Sequence, residues 1–260
     1  MDLSDPRTMA LFLEIYGTLH RAGPGSTAAT LRALDLVPTR SVGTVVDLGC
    51  GPGPQTVVLG QHLQDATILA LDITPSMVDE ARRRIVATGL SNRVRAEVGD
   101  LLDPGLPPRS QDLIWCEGAI YNAGVAAALE SWRSLLAPSG TVAFTEAVWI
   151  HPSPPEDLVR WWQAQYPAIT DGAGVRSAIS AAGFDTVASF VLPPEAWTDE
   201  YYDPMENRIT EFRAAHPDDP LAEEIAAEAV EEIEVFHANS RYYSYEFFVV
   251  QPKSRGDLPR

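Results

Sequence analysis

The stretch Val45-Val46-Asp47-Leu48-Gly49-Cys50-Gly51-Pro52-Gly53 decides the fold. A β-branched run ends in three alternating glycines, and residues 54–64 then read as a helix. Glycine lets the backbone turn sharply and lets a ligand approach without a Cβ in the way. The helix start presents free N–H groups. The third glycine falls two residues after Gly51, and position 54 is proline. The three-residue gap of a dinucleotide fingerprint is therefore not met.

Outward from that turn, strands alternate with helices. Strands are expected at Thr44–Leu48, Thr67–Leu71, Arg93–Val98, Asp112–Cys116, Gly140–Thr145, Phe184–Leu192 and Tyr242–Val250. Helices are expected over 54–64, from Thr74-Pro75 to about Thr88, over 125–137, 155–166 and 173–182, and in two acidic segments, 204–215 and 220–237. In the last of these, Leu221, Ile225, Ala229, Ile233 and Phe236 recur at helical spacing, so one face is buried. Ahead of the sheet, residues 4–20 and the segment from Ser26 to about Leu36 read as two helices separated by Gly23-Pro24-Gly25. Strands alternating with helices predict an α/β fold, a doubly wound parallel sheet. Ligands of such sheets sit outside the carboxyl ends of the strands. The expected division is a helical cap over 1–40 and a main domain over 41–260, with substrate-facing inserts at about 147–170 and 197–240.

The chain has 260 residues, with Asp+Glu 36 against Lys+Arg 19 and a net charge of −17. Nucleic-acid binding is largely cationic, so a nucleic-acid partner is not expected. The same field is compatible with a cationic ligand. Residues 199–234 hold thirteen acids against Arg208 and Arg213, and read as a solvated helix face. Lys253 is the single lysine, which argues against a catalytic lysine. No run approaches the ~20 apolar residues of a membrane span, and no signal peptide is read at the start. Cys50 and Cys116 are too few for a disulfide framework, so a reducing cytoplasm is the expected setting. His20, His62, His151, His216 and His237 are scattered without metal-ligand spacing, and no metal is expected.

Two acids stand where a nucleoside would need them. Asp72 ends the second strand nineteen residues after Gly53 and can accept from both hydroxyls of a ribose. Asp100, in Gly99-Asp100-Leu101, can accept from an exocyclic amine. Together with Asp47–Gly53, Asp112-Leu113-Ile114-Trp115-Cys116-Glu117 and Leu135–Thr141, these segments resemble the class I S-adenosylmethionine-dependent methyltransferases, small-molecule type, over about residues 40–150. The resemblance implies a Rossmann-like, seven-stranded sheet with an antiparallel last strand, and S-adenosyl-L-methionine as cofactor. It implies cofactor contacts at Asp47, Gly49, Gly51, Gly53, Gln55, Thr56, Asp72, Ile73, Met77, Gly99, Asp100, Leu101, Glu117 and Gly118. The front segment, Glu14–Gly25, also resembles a stretch that folds over the cofactor in this family. Arg21 would pair with the methionine carboxylate, and Tyr16 would face the sulfonium.

The loop after the fourth strand, Cys116-Glu117-Gly118-Ala119-Ile120-Tyr121-Asn122, would face the methyl group. It lacks the Asn/Asp-Pro-Pro-Tyr/Phe motif of amino-methylating enzymes that act on bases. Glu117, Tyr121 and Tyr16 are the catalytic candidates, with Glu117 either a general base or a holder of the cofactor's amino group. Aromatics gather at Trp149, Trp161, Trp162, Tyr166, Trp197, Tyr201 and Tyr202. His20, Tyr121, Asn122, Glu146, Trp149, Trp162 and Tyr201 are the substrate-facing candidates, in a pocket suited to an aromatic or heteroaromatic small molecule. Two other readings stand beside methyl transfer. An NAD-dependent oxidoreductase is disfavoured by the glycine spacing, and by Val125 where a Tyr-x-x-x-Lys pair from Tyr121 needs lysine. A non-catalytic cofactor-binding protein would use its acidic helices to recruit a partner.

Overall fold

The five residues of β1 (Thr44–Leu48) are buried at four positions, because a sheet covers them on both sides and helices cover both faces. The protein is described by a computed structural model over residues 5–38 and 41–253. The first residues of the expected cap and its boundary at residue 40 lie outside the described residues, as do residues 254–260.

Two helices precede the sheet. α1 (Pro6–Tyr16) starts where the Asp5 carboxylate accepts from Thr8 N at 2.8 Å, and α2 (Thr27–Asp35) where the Ser26 hydroxyl accepts from Ala29 N at 3.1 Å. Each is a side-chain cap on an otherwise orphan donor. Then come β1, α3 (Pro54–His62), β2 (Thr67–Asp72), α4 (Pro75–Ala87), β3 (Val94–Val98) and β4 (Gln111–Cys116). α5 (Val125–Arg133), β5 (Leu136–Trp149), α6 (Glu156–Gln165), the two-residue β6 (Thr170–Asp171), α7 (Gly172–Ala181) and β7 (Phe184–Val191) follow. A short turn, α8 (Glu195–Trp197), continues through a wide π turn at Thr198–Tyr202 into α9 (Asp203–Ala215). α10 (Pro220–Asn239) and β8 (Tyr243–Pro252) close the chain.

The strand order is β3-β2-β1-β4-β5-β8-β7. β1 through β5 run parallel, and β8 is antiparallel to both β5 and β7. That is the Rossmann-like arrangement the resemblance implies, with one strand beyond the seven expected, since β6 pairs with β5 off the main path. Strand order reverses between β1 and β4, which sets the ligand crevice at their carboxyl ends.

Three expected elements have boundaries that shift by more than two residues, the first being α1, which ends at Tyr16 rather than residue 20. β5 runs from Leu136 to Trp149 rather than over Gly140–Thr145, because β8 pairs with it as far as Trp149, opposite Tyr243. α5 correspondingly stops at Arg133 instead of 137.

Three apolar layers fill the molecule. Val45, Leu59, Val78, Leu113 and Trp115 pack one sheet face against α2, α3 and α4. Val46, Leu48, Ile114, Trp132, Ile179 and Phe248 pack the other against α5 and α7. The third layer joins Ile15 of α1, Trp162 of α6, Phe212 of α9 and Ile225, Ala229, Ile233 and Phe236 of α10. The N-terminal helix and the acidic helices therefore form one roof, although they lie at opposite ends of the sequence. Among the described residues, no helix is long and apolar enough to cross a membrane.

Candidate active site

The glycine turn is tied to its neighbour strand before it meets any ligand. Gly49 N and Cys50 N both donate to Leu71 O, at 2.8 and 2.9 Å. Gly49 has φ +71° and Gly53 φ +80°, a region that residues with a Cβ rarely adopt. A Cβ on Gly49 would collide with that of Ala119, and one on Gly53 would come within 2.8 Å of that of Ala81. Asp72, at the end of β2, holds the turn from the side. Its Oδ2 accepts from Gly51 N and its Oδ1 from Thr74 N, each at 2.8 Å. Each oxygen keeps a further lone pair.

Above the strand ends lies a cavity of about 610 Å³. Its wall includes Gly49, Gly51, Gln55, Asp72, Ile73, Met77, Gly99, Asp100 and Leu101, together with Tyr16, Arg21, Glu117, Gly118, Tyr121 and Asn122. Ile73 is 72% exposed, an apolar side chain left uncovered at the rim. Asp100 Oδ1 accepts from Leu102 N at 2.8 Å, which fixes the carboxylate.

Three residues expected on this wall lie behind it. Asp47 is fully buried, and its Oδ2 accepts from the buried Thr56 hydroxyl at 2.5 Å. Its Oδ1 has no hydrogen-bond partner among the described residues. Burial pushes the Asp47 carboxyl up to about 7. Gly53 N closes the turn onto Cys50 O at 3.0 Å. Asp47, Gly53 and Thr56 thus support the turn from beneath, because β1 delivers their side of the loop to the core.

Arg21 and Glu117 face each other across the cavity's inner end. Glu117 Oε2 accepts from Arg21 Nη1 at 3.1 Å, while its Oε1 accepts from Thr30 Oγ1 at 2.7 Å and from Trp115 Nε1 at 2.8 Å. Arg21 Nε donates to Glu200 Oε2 at 2.9 Å. The guanidinium expected for a ligand carboxylate is therefore engaged by two protein carboxylates. That partnership lowers the Glu200 carboxyl against the opposing effect of its partial burial.

A second cavity, about 410 Å³, adjoins the first. Phe12, Tyr16, Ala22, Gly23, Pro24, Gly118 and Tyr121 line both. Trp161, Trp162, Tyr166, Trp197, Tyr201, Tyr202, Tyr243 and Tyr245 complete its aromatic wall. Trp162 and Tyr201 are thus where the sequence suggested, and Tyr121 stands edge-on to Tyr166 with ring centres 6.0 Å apart.

Three substrate-facing candidates line neither cavity. His20 lies outside beside Arg84 and Glu200, because the turn after α1 carries it to the surface. Glu146 sits inside the lengthened β5, accepting from Ala147 N at 2.8 Å and Tyr166 Oη at 3.3 Å. Burial raises its carboxyl to about 7. Trp149 packs against Trp162 at the end of the same strand.

The sequence reading missed the acids of this second cavity. Glu228, Glu231 and Glu232 of α10 lie on its wall. Glu232 accepts from Tyr16 Oη at 3.4 Å, Tyr201 Oη at 3.3 Å and Tyr202 Oη at 3.0 Å. Burial raises its carboxyl, and the three phenols oppose that shift. The available signal was the i, i+3, i+4 spacing of these acids, which puts them on one helix face.

Residues 45–140 match a family described as a methyltransferase domain. Trans-aconitate 2-methyltransferase of Methylobacterium nodulans is 37% identical over 108 residues, 41% of this chain and 39% of that protein. The enzyme of the same description from Paracidovorax citrulli is 29% identical over 176 residues, 65% of each chain. The aligned stretches thus span less than two thirds of the length of these two relatives. A SAM-dependent methyltransferase from Geobacter sulfurreducens, solved with S-adenosyl-L-homocysteine, superposes with a TM-score of 0.80 at 21% identity. That match covers 96% of this chain and 99% of the other, and it is a likeness of fold.

Proposed function

We propose that this chain, whose residues 45–140 form a methyltransferase domain of the class I S-adenosylmethionine-dependent type, methylates a small molecule seated in the aromatic cavity. The observation that carries the reading is the shared wall. A nucleoside-sized cavity at the switch point opens beside an aromatic one, and Tyr16, Gly118 and Tyr121 border both.

The residues of the first cavity fit the cofactor. The free lone pairs of Asp72 suit a ribose diol. The uncovered Ile73, with Met77 and Leu101, suits the faces of an adenine, and Asp100 suits its amine. The glycine turn brings bare backbone to the wall for the amino-acid end, with Gln55 beside it. When bound, S-adenosylmethionine supplies a methyl carbon activated by a positively charged sulfur.

The chain's own task is then placement. Most of the gain comes from holding the acceptor in line with the methyl carbon. Tyr16 and Tyr121 flank the junction where that alignment is set. Glu117 keeps both oxygens on Arg21, Thr30 and Trp115, so we assign it to holding the inner end of the cofactor cavity rather than to proton abstraction. Arg21 acts through Glu117 as a positioning residue. Trp161, Trp162 and Trp197 give the acceptor a flat apolar bed and exclude water from it.

The relatives are named for trans-aconitate, a polycarboxylate. The aromatic cavity carries Glu228, Glu231 and Glu232 and no Lys, Arg or His on its described wall. Like charges oppose that substrate here, and we do not assign it to this chain. Calorimetric titration with S-adenosylmethionine and S-adenosylhomocysteine tests the reading. Micromolar binding of both is expected, with methyl transfer to members of a small-molecule panel. Failure to bind either overturns it.

A further inference from the structure

We infer that the aromatic cavity selects a substrate carrying a protonated amine, received by Glu232 and the surrounding ring faces. This rests on the methyltransferase reading above and specifies its substrate class.

Charge gives the first argument. Glu228, Glu231 and Glu232, on one face of α10, lie on the described wall, which includes no Lys, Arg or His. Glu223 is exposed and paired with Arg213, and Glu224 and Glu234 are exposed. Glu231 is exposed as well, so it is Glu232, half-buried beneath three phenols, that stands apart from the solvated face.

Hydrogen-bond arithmetic gives the second. A carboxylate offers about four lone-pair sites. Tyr201 and Tyr202 occupy Oε1, and Tyr16 occupies one site of Oε2. One site of Oε2 remains, and a donor with positive charge satisfies it best. The three phenols hold the carboxylate in place and keep it from turning away. Tyr16 also borders the cofactor cavity, so the acid lies one side chain from the transfer junction.

The aromatic wall gives the third. A cation close to the face of a tryptophan or tyrosine is attracted by the ring quadrupole, more strongly where water is excluded. An acidic group embedded among such rings matches an ammonium better than a neutral aromatic body alone.

One of the rings on this wall is also closely packed. Trp162 is 8% exposed, and its indole N–H has no hydrogen-bond partner among the described residues. Buried donors are ordinarily satisfied. The ligand that fits therefore combines an amine with an apolar body.

Three ligands of one shape separate the charges: tyramine, tyrosol and 3-(4-hydroxyphenyl)propionate, as cation, neutral and anion. Each is titrated by calorimetry into the protein preloaded with S-adenosylhomocysteine. Tyramine is expected to bind at least tenfold more tightly than tyrosol, and the propionate more weakly still. Glu232→Gln is expected to erase the tyramine preference while S-adenosylhomocysteine binding and the melting temperature report an intact fold. Equal affinities, preference for the anion, no binding by any of the three, or a preference that survives in Glu232→Gln overturns the inference. Loading with S-adenosylhomocysteine separates the two readings. If that first step fails, the methyltransferase reading falls and this one with it. If it succeeds without an amine preference, only the substrate class falls.

Discussion

Arg21 and Glu117 meet at 3.1 Å with their side chains each 4% exposed, and the pair fastens the turn after α1 to the end of β4. Removing one member of a buried ion pair leaves the other without a counter-charge, at a cost of about 3–5 kcal/mol. Arg21→Met is expected to lower the melting temperature markedly and to weaken S-adenosylhomocysteine binding. Adding Glu117→Gln to that variant should recover part of the lost stability. Thermal denaturation of the two single variants and the double variant checks this. A Glu117→Gln protein that melts and binds like the wild type, yet turns over slowly, would assign Glu117 to proton transfer instead.

Asp72 both organises the glycine turn and faces the cofactor cavity. Asp72→Ala removes the acceptor for Gly51 N and Thr74 N together with the one proposed for the ribose. Calorimetry should show S-adenosylhomocysteine affinity reduced at least tenfold, since hydrogen bonds to a charged group contribute about 1.5–3 kcal/mol. Asp72→Asn, which keeps one acceptor oxygen, should fall between. Unchanged affinity in the alanine variant removes the ribose assignment.

The buried Asp47 carboxyl gives a pH signature. Its ordinary value near 3.8 rises to about 7 in the fold, so the native state binds more protons than the unfolded state between those limits. Its contribution is most favourable below the lower value and is lost as pH rises through the upper one. Asp47→Asn removes the titration. The melting temperature of the variant relative to wild type is therefore expected to be higher at pH 8 than at pH 4.5, by roughly 3 °C or more. Glu146, raised to about 7 as well, remains in both proteins and cancels in the comparison. A difference that stays flat with pH would contradict the assignment.

Gly53→Ala combines a left-handed backbone with a Cβ 2.8 Å from that of Ala81. The backbone strain alone costs roughly 1–2 kcal/mol, and the contact displaces α3 from α4. The variant is expected to melt lower and to lose cofactor affinity together. A melting curve and one titration suffice, and wild-type behaviour in both would mean that the turn tolerates the methyl group.

The sequence revealed what is local and repetitive. The run into Gly49, Gly51 and Gly53 specifies a strand, a turn and a helix within a dozen residues, and Asp72 follows at a fixed distance. Strand ends that depend on distant partners were harder to read. β5 extends to Trp149 because β8, almost a hundred residues later, supplies its hydrogen bonds. That extension withdrew Glu146 and Trp149 from the pocket they were expected to line. Glu232 was hidden by its own helix, where acids at neighbouring turns look like solvent contacts. Only the packing of α1, the wide turn at Thr198–Tyr202 and α10 brings Tyr16, Tyr201 and Tyr202 onto it.

Tyr16, Gly23, Pro24 and Tyr121 belong to both cavities at once. A shift of that partition changes the two volumes together, so the occupancy of one is thermodynamically linked to that of the other. Linkage of this kind is reciprocal. Whatever factor a bound nucleoside adds to the affinity for the acceptor, the acceptor returns to the nucleoside in equal measure.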